Sequence, residues 1–377
     1  MKLSYFLRPS DDLVALSKSG VTEVLIGSKH LSRLGAFDQE QMINAAEQAK
    51  KLSLKAVLLC DALVSERDFP AYQKRLEAVL PYFESARALD PGVMQFLFET
   101  SHLKLQFVAD TGNHNLPGLV AWENYFGDRL ERLVLSIELS KESLSHIIPA
   151  LKTPCELLVL GRILLFHSPR NLLSPLAGDV TQSDWIEATG ASEESPHKGF
   201  PLVENMQGSF MFLAKDFCLA EQMDDLKSMK LEYMRFDPTG CSNDLAYKIS
   251  STLLSDSPMQ AKELWPNPVI RGFYGVNKSD VLFKKLKNPS RDKTHALAEV
   301  LDARKGEAMT VKVLDGSSLK LGLAVKMITP EGKIKEFSIS SIKTLDGDAL
   351  ETAPERSIVT LQAVGSACVK ALLLPNF

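Results

Sequence analysis

The sequence contains little cysteine: five residues in 377, with no two of them forming a CxxC pair. An odd number of widely spaced cysteines argues against a disulfide framework. Long apolar runs are also missing, since none reaches the roughly 18 residues that a membrane-spanning helix needs. The first residues include an early arginine, a proline and two aspartates, and they do not resemble a signal peptide. We therefore expect a cytoplasmic protein with no membrane partner.

Several motifs that bind metals or nucleotides are absent as well. The sequence has no HExxH, no GxGxxG and no P-loop, so neither a zinc-protease helix nor a dinucleotide fold is predicted. The net charge of −4 is unevenly distributed, because residues 268–377 hold 17 Lys and Arg against 12 Asp and Glu. This basic excess includes KKLKNPSRDK at residues 284–293 and hints at a polyanionic partner such as RNA. A lysine-rich loop exposed to solvent is the simpler interpretation.

Short apolar runs alternate with helical patterns over the first 255 residues or so. Such alternation is typical of βα units with a parallel sheet, and eight units would complete a (β/α)8 TIM-like barrel. The rhythm alone does not distinguish a closed barrel from a doubly wound sheet. The predicted strands are residues 3–7, 23–27, 55–60, 85–89, 104–110, 132–136, 156–160 and 231–237. The predicted helices are residues 11–19, 39–52, 69–82, a segment starting near residue 91, 117–126, 141–151, 218–229 and 243–254.

Three further regions complete the predicted domain organisation. An insertion at about residues 164–214 follows strand seven, and its last part reads as two strands joined by a Gln-Gly turn. The barrel domain is expected to cover residues 1–257, and residues 258–268, with three prolines, look like a linker. Residues 269–377 show short alternating strands separated by Asp-Gly and Glu-Gly turns, which predict a small, barrel-like all-β domain.

Several segments resemble, in the same order, those of the collagenase-like peptidase family, peptidase family U32. They are EVLIGSKHLSRLGAFDQEQM (23–42), RLVLSIELSKESL (132–144), FPLVENMQGSFMFLAKDFCLAEQMDDL (200–226), YMRFD (233–237) and RGFYG (271–275). The resemblance implies an α/β barrel followed by a β domain. It also implies either the activity of a peptidase or an oxygen-independent hydroxylation of RNA bases or small aromatic compounds. Many members hold an iron–sulfur cluster on four cysteines, because soft thiolates suit iron.

This chain departs from the cysteine motif of the family. Only Cys218 stands at a family ligand position, whereas Leu164 and Asn171 occupy two others and residues 172–200 contain no cysteine. Cys241 adds at most a second thiol on the same face. We therefore predict no cofactor and no metal site, with the family cluster lost.

Polar residues gather at the predicted carboxyl ends of the strands, where barrels build their active sites. We expect catalytic roles for His114, Glu138, His167, Lys215, Asp216 and Cys218. We expect substrate binding by Asn113, Arg162, Arg235 and Asp237. For any single residue, an ion pair that supports a loop is the alternative interpretation.

The chemistry of these side chains suggests their roles. Arg235 and Lys215 could hold a carboxylate or phosphate, and a histidine can exchange protons near neutral pH. Cys218 is predicted to open a helix, where a thiolate is stabilised. Buried packing is the alternative for Cys218, and turn chemistry is the alternative for His114, which lies in TGNHN.

Two functional hypotheses follow. The first is an enzyme of the family type, a peptidase or a relative of the RNA-base hydroxylases, acting on RNA or a protein. The missing cysteines put its activity in question. The second is a non-catalytic accessory subunit that binds RNA or a cluster-bearing paralogue.

Overall fold

The computed structural model describes residues 1–110, 112–176, 185–191, 198–275, 293–303, 306–330 and 332–376. The chain divides into two compact units, Met1–Gly275 and Val276–Phe377. Nearly all of the basic segment at residues 284–293, and part of the predicted insertion, lie outside the described residues.

The first unit is built on parallel strands with helices between them. Its strands are β1 (Lys2–Phe6), β2 (Glu23–Gly27), β3 (Lys55–Cys60), β4 (Ser85–Ala88), β5 (Lys104–Ala109), β6 (Leu130–Leu135), β7 (Cys155–Gly161), β8 (Leu164–Ser168), β9 (Trp185–Ala191), β10 (Lys198–Asn205), β11 (Gly208–Phe212), β12 (Asp216–Cys218), β13 (Tyr233–Phe236) and β14 (Val269–Ile270). Every residue of β2 and β7 is buried, as expected for parallel strands covered on both faces.

Eight of these strands close into a barrel. Strands β1 to β7 pair in sequence order, and β13 pairs in parallel with both β1 and β7. The register places Met234 of β13 beside Leu3 on one side and Leu157 on the other. The predicted TIM-like (β/α)8 barrel is therefore confirmed, and the doubly wound sheet is excluded because the sheet has no open edge between β7 and β1.

Helices cover the outside of the barrel. They are α1 (Leu13–Lys18), α2 (Gln39–Lys51), α3 (Phe69–Glu77), α4 (Pro91–Thr100), α5 (Leu116–Phe126), α6 (Lys141–Ile147), α7 (Met223–Ser228), α8 (Asn243–Leu253) and α9 (Gln260–Leu264). The first turns explain where several of them begin. At α2, Asp38 and Gln41 exchange side-chain to backbone hydrogen bonds of 2.8 and 3.1 Å in a capping box. At α4, Asp90 caps the helix and a proline occupies its first position, as the sequence predicts.

The insertion after β7 forms an antiparallel sheet in the order β8-β11-β10-β9. The sequence identifies β10 and β11 but not β8 and β9. Both of these strands leave most of their side chains partly or fully exposed, so no apolar alternation marks them. Gly208 is needed at the β10–β11 turn: its φ is +108°, and a Cβ there would lie 2.0 Å from the carbonyl oxygen of Ser168.

Two details near the end of the first unit differ from the sequence-based expectation. The helix predicted at residues 218–229 begins with a 3-10 turn at Ala220–Gln222 and continues as α7, because Asp216–Cys218 forms β12, which pairs antiparallel with β7. The predicted linker instead contains α9, and Ala261 and Trp265 are buried there. Because β14 then pairs with β12, the first unit extends to Gly275.

The second unit is all β. Its strands are β15 (Ala298–Asp302), β16 (Met309–Val313), β17 (Leu319–Lys320), β18 (Ala324–Ile328), β19 (Ile334–Ser338), β20 (Ile342–Lys343), β21 (Thr352–Ala353), β22 (Ile358–Leu361) and β23 (Leu372–Pro375). Seven of them form one sheet in the order β19-β18-β23-β15-β16-β22-β20 around its own apolar core. The Asp-Gly turns predicted at residues 315–316 and 346–347 place Gly316 and Gly347 at positive φ. The predicted all-β region is confirmed.

A fully buried ion network crosses the inside of the barrel. Arg87 of β4 donates to both carboxylate oxygens of Glu156 on β7, at 2.6 and 2.5 Å. Arg132 of β6 donates to Glu156 at 3.0 Å and to Glu23 of β2 at 2.6 Å. Although burial alone would raise the pKa of Glu156, the guanidinium groups of Arg87 and Arg132 hold it far below its usual value. The carboxylate therefore stays ionised inside the core.

Neutral side chains complete this network. Ser4 of β1 donates to Glu23 at 2.8 Å. Gln106 of β5 accepts from Arg87 at 2.8 Å and donates to Glu23 at 3.2 Å. The network thus joins six of the eight barrel strands. Removal of one charge would leave its partners buried without compensation.

We predict that Glu156→Gln destabilises the protein by about 3–5 kcal/mol, because Arg87 and Arg132 lose their shared counter-ion in the core. Urea unfolding near neutral pH measures the change. The matched control is Glu84→Gln: this carboxylate is exposed and lies 3.8 Å from the Lys50 ammonium, so its loss should cost less than about 1 kcal/mol. Equal effects of the two substitutions would contradict the assigned role of Glu156.

The contribution of Glu156 to stability should decrease in acid. A carboxyl group with a lowered folded pKa contributes its full stability above its unfolded pKa of about 4.3, and loses that contribution as the pH falls toward the folded value. The gap in unfolding free energy between the wild type and Glu156→Gln should therefore narrow below about pH 4. Urea unfolding of both proteins across a pH series checks this, and a gap that stays constant or widens in acid would count against it.

Candidate functional site

Charged side chains surround the mouth of the barrel at the carboxyl ends of its strands. Asp61 directly follows β3, Asp110 follows β5, Arg162 follows β7 and Asp237 follows β13. The carboxyl ends of parallel strands meet at one end of a barrel, so these residues share one opening. Gly161 permits the close approach of two of the strand ends, since its φ is +153° and a Cβ there would lie 2.7 Å from the Cβ of Asp237.

Two arginines at the mouth have unfilled hydrogen-bonding capacity. Within the described chain, the one ion pair of Arg235 is a 3.9 Å contact with Glu156, whose oxygens already accept from Arg87 and Arg132. The guanidinium carbon of Arg162 lies 4.1 Å from the centre of the Phe212 ring, and its buried Nε has no hydrogen-bond partner. An unpartnered buried donor is costly, so these groups are prepared to bind an acceptor.

Charged groups of both signs surround Arg235. Burial lowers the pKa of Arg235, while the carboxylates of Glu156, Asp110 and Asp237 act against that effect. An arginine stays protonated in proteins, so the mouth retains this cation. The opening therefore presents guanidinium donors next to carboxylate acceptors rather than a single sign of charge.

Asp216 lies close to the same opening, and two hydrogen bonds hold its carboxylate in place. Its Oδ2 accepts from Trp265 Nε1 at 2.9 Å and from Asn267 Nδ2 at 3.0 Å. Burial raises the pKa of Asp216, and the neighbouring carboxylate of Asp237 adds to this. Asp237 itself accepts from the backbone N–H of Thr239 at 3.0 Å. Asp216 thus holds its proton to higher pH than an ordinary carboxyl group, because burial outweighs the two hydrogen bonds, which lower its pKa.

His167 of β8 stands on the wall that the insertion adds to the mouth. Its ring stacks on Phe210 with centroids 4.4 Å apart, and its Nε2 lies 3.0 Å from the carbonyl oxygen of Gln207. A carbonyl only accepts, so Nε2 carries the hydrogen and Nδ1 holds the lone pair. Burial lowers the pKa of His167, so the ring is neutral near pH 7.

An Arg33–Asp61 pair at the mouth was not identified from the sequence. Arg33 and Asp61 are 3.1 Å apart, and Ser32 Oγ donates to Asp61 at 2.7 Å. Although burial alone would raise the pKa of Asp61, Arg33 and these hydrogen bonds lower it. The carboxylates of Asp61 and Asp110 raise the pKa of Arg33. The charges of Arg33 and Asp61 in turn act on the pKa of His167, in opposite directions. The pair is therefore coupled to the other charged residues at the opening. The available signal was the position of Asp61 directly after a predicted strand.

The other predicted site residues lie outside this group. His114 and Glu138 face each other at 3.9 Å on the loops after β5 and β6, with both side chains substantially exposed. Asn113 accepts from Trp122 Nε1 at 3.0 Å, which ties its loop to α5. Lys215 is exposed.

Cys218 is buried at the end of β12 rather than at a helix start. Burial raises the pKa of its thiol, and its charged neighbours are Lys262 and Glu221. The backbone N–H of Ala220, at the start of the following helical turn, and the Lys262 ammonium both lower the pKa of this thiol, but burial outweighs them.

The cysteines do not fit a four-thiolate shell. Cys60 ends β3 at the mouth, Cys155 begins β7 at the opposite end of the barrel, and Cys368 belongs to the second unit. Within the part of the chain that the structure describes, no three His, Cys, Asp or Glu side chains are grouped as metal ligands. Over the same residues, no helix is both long and apolar enough to cross a bilayer.

Comparisons with known proteins gave the following matches. The tRNA hydroxylation protein P2 of Bacillus subtilis (strain 168) is 22% identical over 237 residues, which cover 60% of this chain and 75% of that protein. Among solved structures, the U32 peptidase Mk0906 is 13% identical, with a TM-score of 0.34, over 43% of this chain and 70% of that chain. The model of peptidase family U32 matches residues 10–253. Because this match spans well over half of the chain, the protein belongs to peptidase family U32.

Proposed function

We propose that this protein binds a base of a tRNA substrate in the barrel mouth as part of the hydroxylation of that base. The observation that carries the proposal is a pair of arginines: the buried Nε of Arg162 has no hydrogen-bond partner, and Arg235 has one long contact of 3.9 Å with Glu156. The carboxylates of Asp216 and Asp237 lie near them. The similarity to a tRNA hydroxylation protein supports the class of substrate.

A nucleobase fits the mixed charges of the mouth better than a bare phosphate. The edge of a base presents carbonyl oxygens and ring nitrogens as acceptors, and N–H groups as donors. Arg162 and Arg235 can donate to the carbonyl oxygens, while Asp237 can accept from an N–H group. An enzyme that acts on a base must take it out of the stack and recognise its edge in a pocket. The guanidinium donors and carboxylate acceptors at the barrel mouth match the groups on such an edge.

Two groups of the mouth can handle protons near the bound base. Asp216 holds a proton to higher pH than an ordinary carboxyl group, and His167 presents a neutral ring with a lone pair on Nδ1. We assign Asp216 as a proton donor and His167 as a proton acceptor within this proposal.

Hydroxylation also requires redox chemistry, which we assign to another protein. The dispersed cysteines of this chain do not fit a cluster, so we propose that it carries none and acts as a substrate-binding subunit beside a cluster-bearing relative. Peptidase chemistry has less support, because neither His114 nor His167 is a hydrogen-bond partner of Cys218 in the described structure.

Hydroxylated nucleosides in tRNA should depend on the mouth arginines. In a host from which the gene is deleted, we expect these nucleosides to be lost, and to return with the wild-type gene but not with Arg162→Gln or Arg235→Gln. A lost charged hydrogen bond corresponds to roughly a tenfold or larger loss of binding. Mass spectrometry of digested tRNA gives the readout. Arg67→Gln is the matched control, because this side chain is 89% exposed and its ion-pair partner is the neighbouring Asp68.

Circular dichroism of the purified variants separates misfolding from lost binding. Hydroxylation that persists after gene deletion, or full activity of folded Arg235→Gln, would refute the proposed function.

Iron analysis tests the cofactor part separately. Protein purified without oxygen should be colourless and contain far less than one iron per chain, since only Cys218 stands at a family ligand position. A brown protein with about four irons per chain would show that the thiols assemble a cluster after all.

A further inference from the structure

An open cavity lies next to the loop that follows β2. It has a volume of about 480 Å³ and is lined by this loop, helices α2 and α3, and Met206 at the tip of the β10–β11 hairpin. A smaller cavity of about 220 Å³ shares Lys29 and Met206 with it and extends to Trp185 of β9. We call the two together the side groove, which is lined chiefly by Lys29, Arg75, Trp185 and Met206.

The walls of the side groove are fixed by hydrogen bonds. Gln207 Nε2 donates to the carbonyl oxygen of Lys29 at 2.8 Å, and Asn205 Nδ2 donates to that of Arg33 at 2.9 Å. Gly35 lets the loop fold tightly on itself, because a Cβ there would lie 2.3 Å from the carbonyl oxygen of Ser28. A groove that is formed before binding loses little entropy when a ligand enters.

The side groove combines an apolar floor with a basic rim. Leu31, Met42 and Val79 are buried beneath it, and Met206 is 55% exposed beside it. Lys29 and Arg75 supply positive charge, and Arg75 is exposed and forms no ion pair with a described residue. Asp38 also lines the cavity, but its carboxylate accepts from the Gln41 N–H as the cap of α2. The surface is therefore suited to a flat apolar group that carries negative charge.

We infer that the side groove binds two consecutive nucleotides of single-stranded RNA, next to the base that enters the barrel mouth. The inference rests on the proposed function for the class of ligand. One base lies against Met206 and the apolar floor, the next stacks on Trp185, and Lys29 and Arg75 contact the phosphates. The loop after β2 joins the two sites, because it places Arg33 at the mouth and Lys29 in the groove.

A peptide is a poorer occupant. Binding of an extended peptide relies on free main-chain groups along the groove. Here the carbonyl oxygens of Lys29 and Arg33 are occupied by the insertion, and the Lys29 N–H donates to Phe37 at 3.0 Å. A nucleotide needs none of these groups, since it binds through stacking and charge.

Fluorescence anisotropy of a labelled single-stranded RNA of mixed sequence tests the inference on the full chain. Arg75→Gln should weaken binding about tenfold and lower the salt dependence by roughly one phosphate contact. The neighbouring Lys74→Gln, which removes an equal charge outside the groove on the same helix, should leave both unchanged. Trp185→Leu should weaken binding roughly fivefold to a hundredfold, whereas Trp185→Phe keeps a ring for stacking and should stay close to the wild type.

The outcomes separate this inference from the proposed function. If RNA binds the wild type and all four variants equally, the side groove is not its site, while binding at the mouth stands. If Arg75→Gln and Lys74→Gln weaken RNA binding equally, the loss comes from the change in net charge, and the inference fails. If the wild type binds labelled polyglutamate in an Arg75-dependent way but no RNA, or binds neither, both the groove assignment and the proposed function are overturned.

Discussion

The contact between Glu156 and two buried arginines underlies the rest of the structure. It brings β4, β6 and β7 to one point inside the barrel, and through Glu23 and Ser4 it reaches the strands on the other side. An ionised carboxylate is costly to bury, so Arg87 and Arg132 must remain in place around it. Because these arginines consume the acceptors of Glu156, Arg235 above them is left with one long contact. The unfilled donors at the mouth are thus a consequence of how the core is neutralised.

The insertion after β7 turns this mouth into a more specific surface. Its sheet places Phe212 under Arg162 and Phe210 beside His167, and its hairpin holds the loop after β2 by two side-chain hydrogen bonds. A barrel without this insertion would have the charged residues at its mouth but not these aromatic contacts and hydrogen bonds. The proposed base site and the side groove both depend on this one inserted sheet.

Much of the fold could be predicted from the sequence, but less of the site. Buried runs such as those of β2 and β7 mark parallel strands directly, whereas β8 and β9 give no such signal because their side chains are mostly exposed. The sequence suggests Arg162, Arg235 and Asp237 as site residues because active sites of barrels are built at strand ends, and this remains a prediction. The partners of Glu156 could not be found that way, since Arg87 lies 69 residues away and only the closed barrel brings them together.

Arg162 and Arg235 have donors available for a substrate, whereas each guanidinium nitrogen of Arg87 already donates to Gln106 or Glu156. Nitrogen-detected NMR of the arginine Nε groups, during titration with tRNA from a strain lacking the gene, can distinguish these arginines. We expect the Nε signals of Arg162 and Arg235 to shift on saturation, and the signal of Arg87, held by Gln106 and Glu156, to stay in place. Unchanged signals for both mouth arginines in the presence of bound tRNA would contradict it.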